Sequence, residues 1–410
     1  MKVLILHQNF VDHLHPGGTR HFELAKYLMT AGHEVTIVAG NVDYLTGQVI
    51  MKTRWGGAEQ NLDGVRVLRA YTYPSLHRSF TWRVIAFLSF MVSSVWVALR
   101  AGKVDVVMGT SPPIFQLPSA WIVSALKRVP FLLEVRDLWP EFAVDMGVLK
   151  NPLLIRVARI VEKFFYARAT HVIVNSPAYK DYLLGKSVPA AKISVVANGV
   201  DASMFDPAAD GASIRQQFTL DDHFIATYAG ALGQANDIPT ILRAAQRLKQ
   251  RHDIRILIVG GGKELPKLRE LAQSLELENV IFGGAFPKQQ MRDVLAASNC
   301  CLATLQDIPM FRTTYPNKVF DYMAAGRPTV LGIDGVIRKV VDDAHGGIFV
   351  PPGNDEKLAA AITTLADDPA LCRTMGQSAR VHVQEHFDRA KQAELFADVL
   401  KLTVQSGRKR

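Results

Sequence analysis

The sequence predicts an α/β protein of two doubly wound, Rossmann-like domains facing each other across a cleft. Two observations predict it. Short runs rich in valine, isoleucine and leucine recur along the chain, the pattern of parallel strands covered on both faces. That pattern stops near residue 200, in a stretch of turn and small polar residues, and then starts again. The chain has 410 residues, 49% of them hydrophobic, enough for about two domains.

The first unit opens with "KVLIL", five residues of which four are apolar. A glycine pair, Gly17 and Gly18, follows it. Leu24, Leu28 and Ala31 then recur at helical spacing, and Gly32 stands where a left-handed residue ends a helix. "EVTIVAG" is the next strand, so the segment reads as one βαβ unit. "VRVLRAY", "VDVVMGT", "PFLLEVRD", "THVIVNS" and "KISVVAN" continue the sheet. "NGVDASMFDPAAD" over 198–210 reads as the linker. The second unit begins at "FIATYAGALG", a strand running into glycines, followed by the helix "DIPTILRAAQRLKQ" and by "IRILIVGGGK". "NVIFGGA", "CCLATL", "RPTVLGI" and "GGIFVPPG" complete it. The expected domains are 1–197 and 198–387, with the terminal helix, 388–405, expected to rejoin the first.

Charge and cysteine content narrow the function. The formal net charge is +9, which can attract nucleic acid, anionic lipid or phosphorylated ligands. Apart from the tail "GRKR" no lysine/arginine cluster stands out, and no nucleic-acid-binding signature is present, so nucleic acid is not expected as a partner. Cys300, Cys301 and Cys372 lack metal-ligand or redox spacing and read as core filler of a reduced, cytoplasmic protein. The first strand begins at once, with no signal peptide. The uncharged run 84–99 leaves two readings open. At 1.5 Å per residue its 16 residues span about 24 Å, short of the roughly 30 Å hydrocarbon core. It is either a buried core helix or a helix lying in the membrane interface.

The most informative stretch is "FRTTYPNKVFDYMAAGRPTVLG", residues 311–332. Pro316 suits the first turn of a helix. Val319, Phe320, Met323 and Ala324 would pack on the sheet, leaving Asn317, Lys318 and Asp321 on the other side. A helix start beside a lysine is an anion site, and a carboxylate one turn further in can hold vicinal hydroxyls. Together these suit a nucleotide. An ordinary solvated Lys318–Asp321 pair fits the spacing equally well.

This stretch resembles the nucleotide-binding helix of the retaining glycosyltransferases of family 4, which have the GT-B fold. The resemblance runs nearly end to end, through "PGGTRHFELAKYLMTAGHEVTIVAG", "VANGVDASMFDP", "YAGALG", "IFGGAFPKQQMRDVLAASNCCL" and "GGIFVPPGNDEKLAAAI". "YPNKVFDYMAAG" is similar to a bacterial subgroup that builds surface polysaccharides, including fucosamine transferases of O-antigen synthesis. The resemblance implies that Asp321 matches the acid holding the donor ribose. Gly17, Gly18, Gly230 and Asn317 would lie at the donor, the glycine pair approaching donor phosphate or the acceptor. Four departures stand out. Thr313 replaces a first acid, and "PNK" replaces a Gly-Leu-Pro turn. The turn after "YAGALG" carries Gln234 and Asn236 where many members have an arginine and a lysine. Arg312, Lys318 and Lys263 are the candidates to supply that charge. Where many members have a histidine after a first-domain strand, this chain has Arg136, followed by Asp137; these two are the catalytic candidates. A buried Arg–Asp structural pair is the alternative there.

The resemblance implies retention of configuration, a nucleotide-sugar donor, expected to be a UDP-sugar, and a saccharide or lipid-linked saccharide acceptor at the cytoplasmic membrane face. No Asp-x-Asp motif occurs, so no metal or other cofactor is required. A sugar-nucleotide 2-epimerase and a non-catalytic nucleotide-sugar binder are the competing readings. A dinucleotide oxidoreductase lacks its Gly-x-Gly-x-x-Gly, which neither "GGGKEL" nor "GALGQA" supplies.

Overall fold

The opening apolar run forms β1 (Lys2–Leu6), and the helical pattern behind it forms α1 (Arg20–Thr30). In the computed structural model these begin a unit comprising Met1–Ala197 and Gln392–Arg410, while Asn198–Lys391 form a second. The structure describes residues 1–12, 18–43, 47–53, 56–74, 80–206, 208–220 and 222–408. The first unit continues through β2 (Glu34–Gly40), β3 (Ala58–Leu62), β4 (Val65–Ala70), α2 (Phe80–Leu99), β5 (Val106–Ser111) and α3 (Leu117–Lys127). Then come β6 (Phe131–Val135), α4 (Glu141–Asp145), α5 (Pro152–Arg168), β7 (His171–Val174), α6 (Pro177–Gly185) and β8 (Ile193–Val195).

Eight strands form one sheet in the order β3-β4-β2-β1-β5-β6-β7-β8. All pairings are parallel except β3–β4. The strand β3, absent from the expected elements, forms a hairpin with β4 through Asp63 and Gly64, whose φ angles are 49° and 91°. Two positive φ values in an Asp-Gly loop are those of a type I′ turn. Neighbouring strands diverge at β1, whose two partners are β2 and β5. That divergence is the switch point where open α/β sheets bind ligands.

The helix α2 has one buried and one exposed apolar face. Ala86, Phe90, Ser93, Ser94, Val97 and Ala98 are buried, and Ser93 Oγ donates to the Tyr71 carbonyl at 2.6 Å. Trp82, Ile85, Leu88, Val92 and Trp96 are exposed. The helix is long and apolar enough to cross a membrane by length and composition, yet one face is built into the sheet.

The second unit runs α7 (Ala212–Gln217), β9 (Phe224–Ala229), α8 (Ile238–Arg247), β10 (Ile254–Val259), α9 (Leu265–Ser274), β11 (Val280–Gly284), α10 (Met291–Ala297) and β12 (Cys300–Thr304). It continues with α11 (Asn317–Ala324), β13 (Thr329–Gly332), α12 (Val336–Asp343), β14 (Gly347–Phe349), α13 (Asp355–Asp367) and α14 (Pro369–His386). Its sheet, β11-β10-β9-β12-β13-β14, is parallel throughout and diverges at β9. All three cysteines are free and buried. The last helix, α15 (Arg389–Arg408), belongs from Gln392 onward to the first unit. There Phe396 and Leu400 join Val3, Ile5, Leu28 and Ile37 in one core.

Candidate functional site

In the second unit the site is built where β9 ends. Gly230 N–H donates to the Val259 carbonyl and Leu232 N–H to that of Gly261, so two glycine turns lie side by side. Gly260 has φ +145°, and a Cβ there would sit 1.8 Å from the Gly230 oxygen. Only glycine permits that approach. Tyr322 of α11 clamps the strand end, its hydroxyl donating to the Ala229 carbonyl at 2.9 Å and accepting from the Ala229 N–H at 2.9 Å.

Lys318, at the second position of α11, reaches into this turn. Its Nζ donates to Tyr228 Oη at 2.8 Å and to Asn236 Oδ1 at 2.7 Å, and lies 4.4 Å from the Tyr228 ring centroid. The Tyr228 hydroxyl in turn donates to the Ala231 carbonyl. A Cβ on Gly230 would be 3.3 Å from Lys318 Nζ. Lys318 has no carboxylate partner among the described residues, so the solvated pair with Asp321 is not formed. Burial lowers its ammonium to about 7. A desolvated cation held only by neutral oxygens is set to receive an anion.

The helix carrying it sits as the apolar spacing predicts, with Val319, Phe320, Met323 and Ala324 buried. Pro316 caps the helix rather than entering it, and Asn317 is the first, exposed, helical residue. Asp321 lies one turn in and is half-buried. Thr304 Oγ1 donates to the Asn236 carbonyl at 2.6 Å, tying the 234–236 loop to the end of β12. So Gly230, Asn236 and Lys318 converge where the sheet diverges. Arg312 is not brought to them by any hydrogen bond: exposed, it pairs with Asp307 at 3.0 Å. Lys263 is exposed in the loop after β10.

A second polar cluster lies where β1, β5 and β6 end in the first unit. Arg136 donates through Nε to Thr110 Oγ1 at 2.9 Å and through Nη2 to the Pro112 carbonyl at 3.0 Å. The same Nη2 lies 3.4 Å from His7 Nε2. Arg136 and Asp137 therefore do not form the structural ion pair that was the alternative reading. Burial pushes the Asp137 carboxyl up to about 6, against the opposing Arg136 charge. Glu134, fully buried in β6, takes Arg20 Nε at 3.0 Å and His21 Nε2 at 2.6 Å. Burial favours its neutral form, but His21 and Arg20 outweigh that and hold it well below the usual carboxylate range. The His7 ring lies 4.3 Å from that of His21, tilted by 57°. Burial, then His21 and Arg136, lower it well below its ordinary value, so it is neutral at physiological pH. Gly18 precedes α1, and a Cβ on it would meet no atom of the described residues within 4 Å; Gly17 lies outside the described residues.

Two family models match the chain. Residues 17–199 match the "Glycosyl transferase 4-like domain", and 211–382 match "Glycosyl transferases group 1". The chain is a GT-B glycosyltransferase of the family 4 type. WcaI of Escherichia coli K12, whose name assigns it to colanic acid biosynthesis, is 25% identical over 88% of this enzyme and 91% of its own length. WbjE of Pseudomonas aeruginosa, named as a glycosyltransferase, is 24% identical over 76% and 78%. The fold matches the sucrose-phosphate synthase of Thermosynechococcus elongatus with a TM-score of 0.79, at 21% identity and 98% coverage of both chains. It matches Anabaena Alr3699/HepE, solved in complex with UDP and glucose, with a TM-score of 0.74, at 20% identity and 98% and 99% coverage.

Of the polar groups in this glycosyltransferase, sequence reasoning missed His7, Arg20, His21 and Glu134. A signal was available. Glu134 is the one charge inside the apolar run "FLLEV", and a charge in a buried strand demands partners. His7 is the first residue after β1, at the switch point.

Proposed function

We propose that this transferase moves a sugar, with retention of configuration, from a nucleotide-sugar to a saccharide or lipid-linked saccharide acceptor in bacterial surface polysaccharide synthesis. The donor is a UDP-sugar, and the pathway is of the O-antigen kind served by the subgroup that the 315–326 stretch resembles, which includes fucosamine transferases. The observation that carries the donor reading is Lys318, a half-buried lysine whose ammonium is held by neutral oxygens against the Gly230 turn. Supporting it, the HepE likeness was solved with UDP and with UDP-glucose. Supporting the pathway, WcaI is named for colanic acid synthesis.

The residues take these roles. Lys318 and the free N–H groups at the start of α11 offset the charge of the departing diphosphate. Asn317 and Gly230 line the same turn, Arg312 adds exposed positive charge, and Asp321 accepts from the ribose hydroxyls. Gly17 and Gly18 leave room for phosphate or acceptor. Arg136, held by Thr110 and Pro112, orients the acceptor. Asp137, with a carboxyl near 6, can hold a proton close to working pH. The acceptor hydroxyl attacks the face the diphosphate leaves, and the leaving phosphate helps take its proton. No metal is needed in this scheme, so transfer persists in excess chelator. The enzyme works in the cytoplasm, in peripheral contact with an anionic membrane through the exposed face of α2.

A thermal-shift titration with UDP, GDP, ADP and dTDP, beside Asp321→Ala, tests the reading. A ligand at 100 times its dissociation constant adds about 2.7 kcal/mol. The expected result is a shift with UDP that Asp321→Ala largely removes. No shift with any diphosphate would overturn the donor site. Isomerised donor with no transfer product would overturn the transferase scheme in favour of an epimerase.

A further inference from the structure

In the polar cluster of the first unit each imidazole is held at one nitrogen only. Glu134 accepts hydrogen bonds from Arg20 and His21 alone among the described residues. His21 Nδ1 is buried without a hydrogen-bond partner, so Glu134 is the polar group that fixes that ring. The His7 ring lies against it, and His7 Nδ1 is likewise buried and unpartnered. On its other side His7 Nε2 faces Arg136 Nη2 at 3.4 Å. A guanidinium only donates, so His7 Nε2 accepts and the His7 proton is on Nδ1. An ionised carboxylate only accepts, so His21 donates from Nε2 and its Nδ1 carries no proton.

Glu134 and Arg136 are tied through the backbone as well. They stand two residues apart, and the Arg136 N–H continues the ladder by donating to the Ser111 carbonyl at 2.8 Å. Both side chains therefore leave the same face of the sheet. Arg20 anchors the carboxylate from the opposite side. Its Nη1 and Nη2 donate to the Ala197 and Val196 carbonyls at 2.8 and 3.1 Å, where the chain leaves the first unit. Desolvation offsets most of the attraction in a buried charge network, so stability alone does not account for this one.

We infer that Glu134 is a positioning residue that sets the orientation of Arg136 through His21 and His7. The inference rests on the proposed role of Arg136 at the acceptor. The carboxylate fixes the tautomer and plane of His21, and His21 packs the His7 ring. His7 then supplies the third acceptor of the guanidinium, beside Thr110 and Pro112. Without it the Nη2 end is held by the Pro112 carbonyl alone.

The test is imidazole nitrogen NMR of the full chain labelled in histidine, with His7 and His21 assigned by the signals lost in His7→Gln and His21→Gln. The parent should show His21 protonated at Nε2 and His7 at Nδ1. In Glu134→Gln the amide oxygen is taken by Arg20 and the amide nitrogen donates to His21. The His21 proton should move to Nδ1, and the His7 signals should shift with it. His21→Gln keeps a donor for Glu134 but has no ring. It should also shift the His7 signals, and it decides the matter if Glu134→Gln fails to fold. Turnover is read as UDP released from UDP-glucose and from UDP-N-acetylglucosamine. Glu134→Gln should slow release about tenfold in the parent and less than about twofold in Arg136→Gln, the coupling expected of groups in one network. UDP affinity should not change. His7 signals unmoved in both variants would overturn the inference, as would equal slowing by Glu134→Gln with and without Arg136. Arg136→Gln that releases UDP as fast as the parent would overturn the role of Arg136 itself, and the inference with it.

Discussion

Lys318 carries the sharpest chemistry in the second unit because its two oxygen partners come from far along the chain. The sequence placed the lysine at the start of α11 and named it as a substitute for missing basic residues. It also pointed to Asn236 as the residue standing where a cation was absent. What spacing along one helix could not reveal is that Asn236 draws Lys318 into that same turn, 82 residues away. Burial lowers the ammonium to about 7, whereas the unfolded chain keeps its proton up to about 10.5. Between those values the unfolded state binds more protons, so burial of this group weighs less on stability as pH rises through the window. A diphosphate favours the charged form. Nucleotide affinity should therefore fall as pH rises above 7, by up to about tenfold per unit, with proton uptake on binding. Calorimetric titration with UDP in two buffers of different ionisation enthalpy measures both. Lys318→Met should bind weakly at every pH with no uptake. A parent whose affinity does not change between about pH 7 and 9 would remove Lys318 from the phosphate.

Elements were legible where apolar residues track burial and obscure where they do not. The strands of both sheets stood out because burial on both sides leaves continuous apolar runs. The polar edge strand β3 was missed, although its Asp63-Gly64 turn is a hairpin signal in its own right. In α2 the exposed positions 82, 85, 88, 92 and 96 are as apolar as the buried ones, so periodicity offers no contrast to choose a face. The paired glycine turns show the same limit. Glycine-rich strand ends were readable, but the partner that makes Gly260 irreplaceable, the Gly230 carbonyl, is a tertiary neighbour. Gly260→Ala combines a positive φ with a backbone clash. It should destabilise by about 3 kcal/mol in urea unfolding and weaken nucleotide binding through displacement of Gly230. Gly18→Ala, whose Cβ would meet none of the described residues within 4 Å, should leave the unfolding midpoint unchanged.

At the scale of the whole molecule the chain is not divided at a single point. Residues 198–391 fold between the two parts of the first unit, and α15 returns to complete a core that begins at β1. Amphipathic patterning identified α15 as a helix, but which sheet it covers depends on contacts between residues nearly 400 apart. Phe396 and Leu400 are fully buried, and Ala393, Ala397, Val399 and Val404 nearly so. At about 1.5–3 kcal/mol for each large apolar side chain, their removal forfeits on the order of 8 kcal/mol, an upper figure because unfolded chains already bury some surface. That is comparable with the total stability of an ordinary domain, about 5–15 kcal/mol. A chain ending at residue 391 should therefore lose the cooperative melting of the first unit in calorimetry. The second unit has its own sheet and its own core around Ile241, Ile256 and Ile362. It should keep its transition and, with Gly230, Asn236 and Lys318 all intact within it, its shift with UDP. Survival of both transitions would show that α15 is an accessory to the first unit rather than part of its core. Loss of both would show that the second unit depends on the first for its stability.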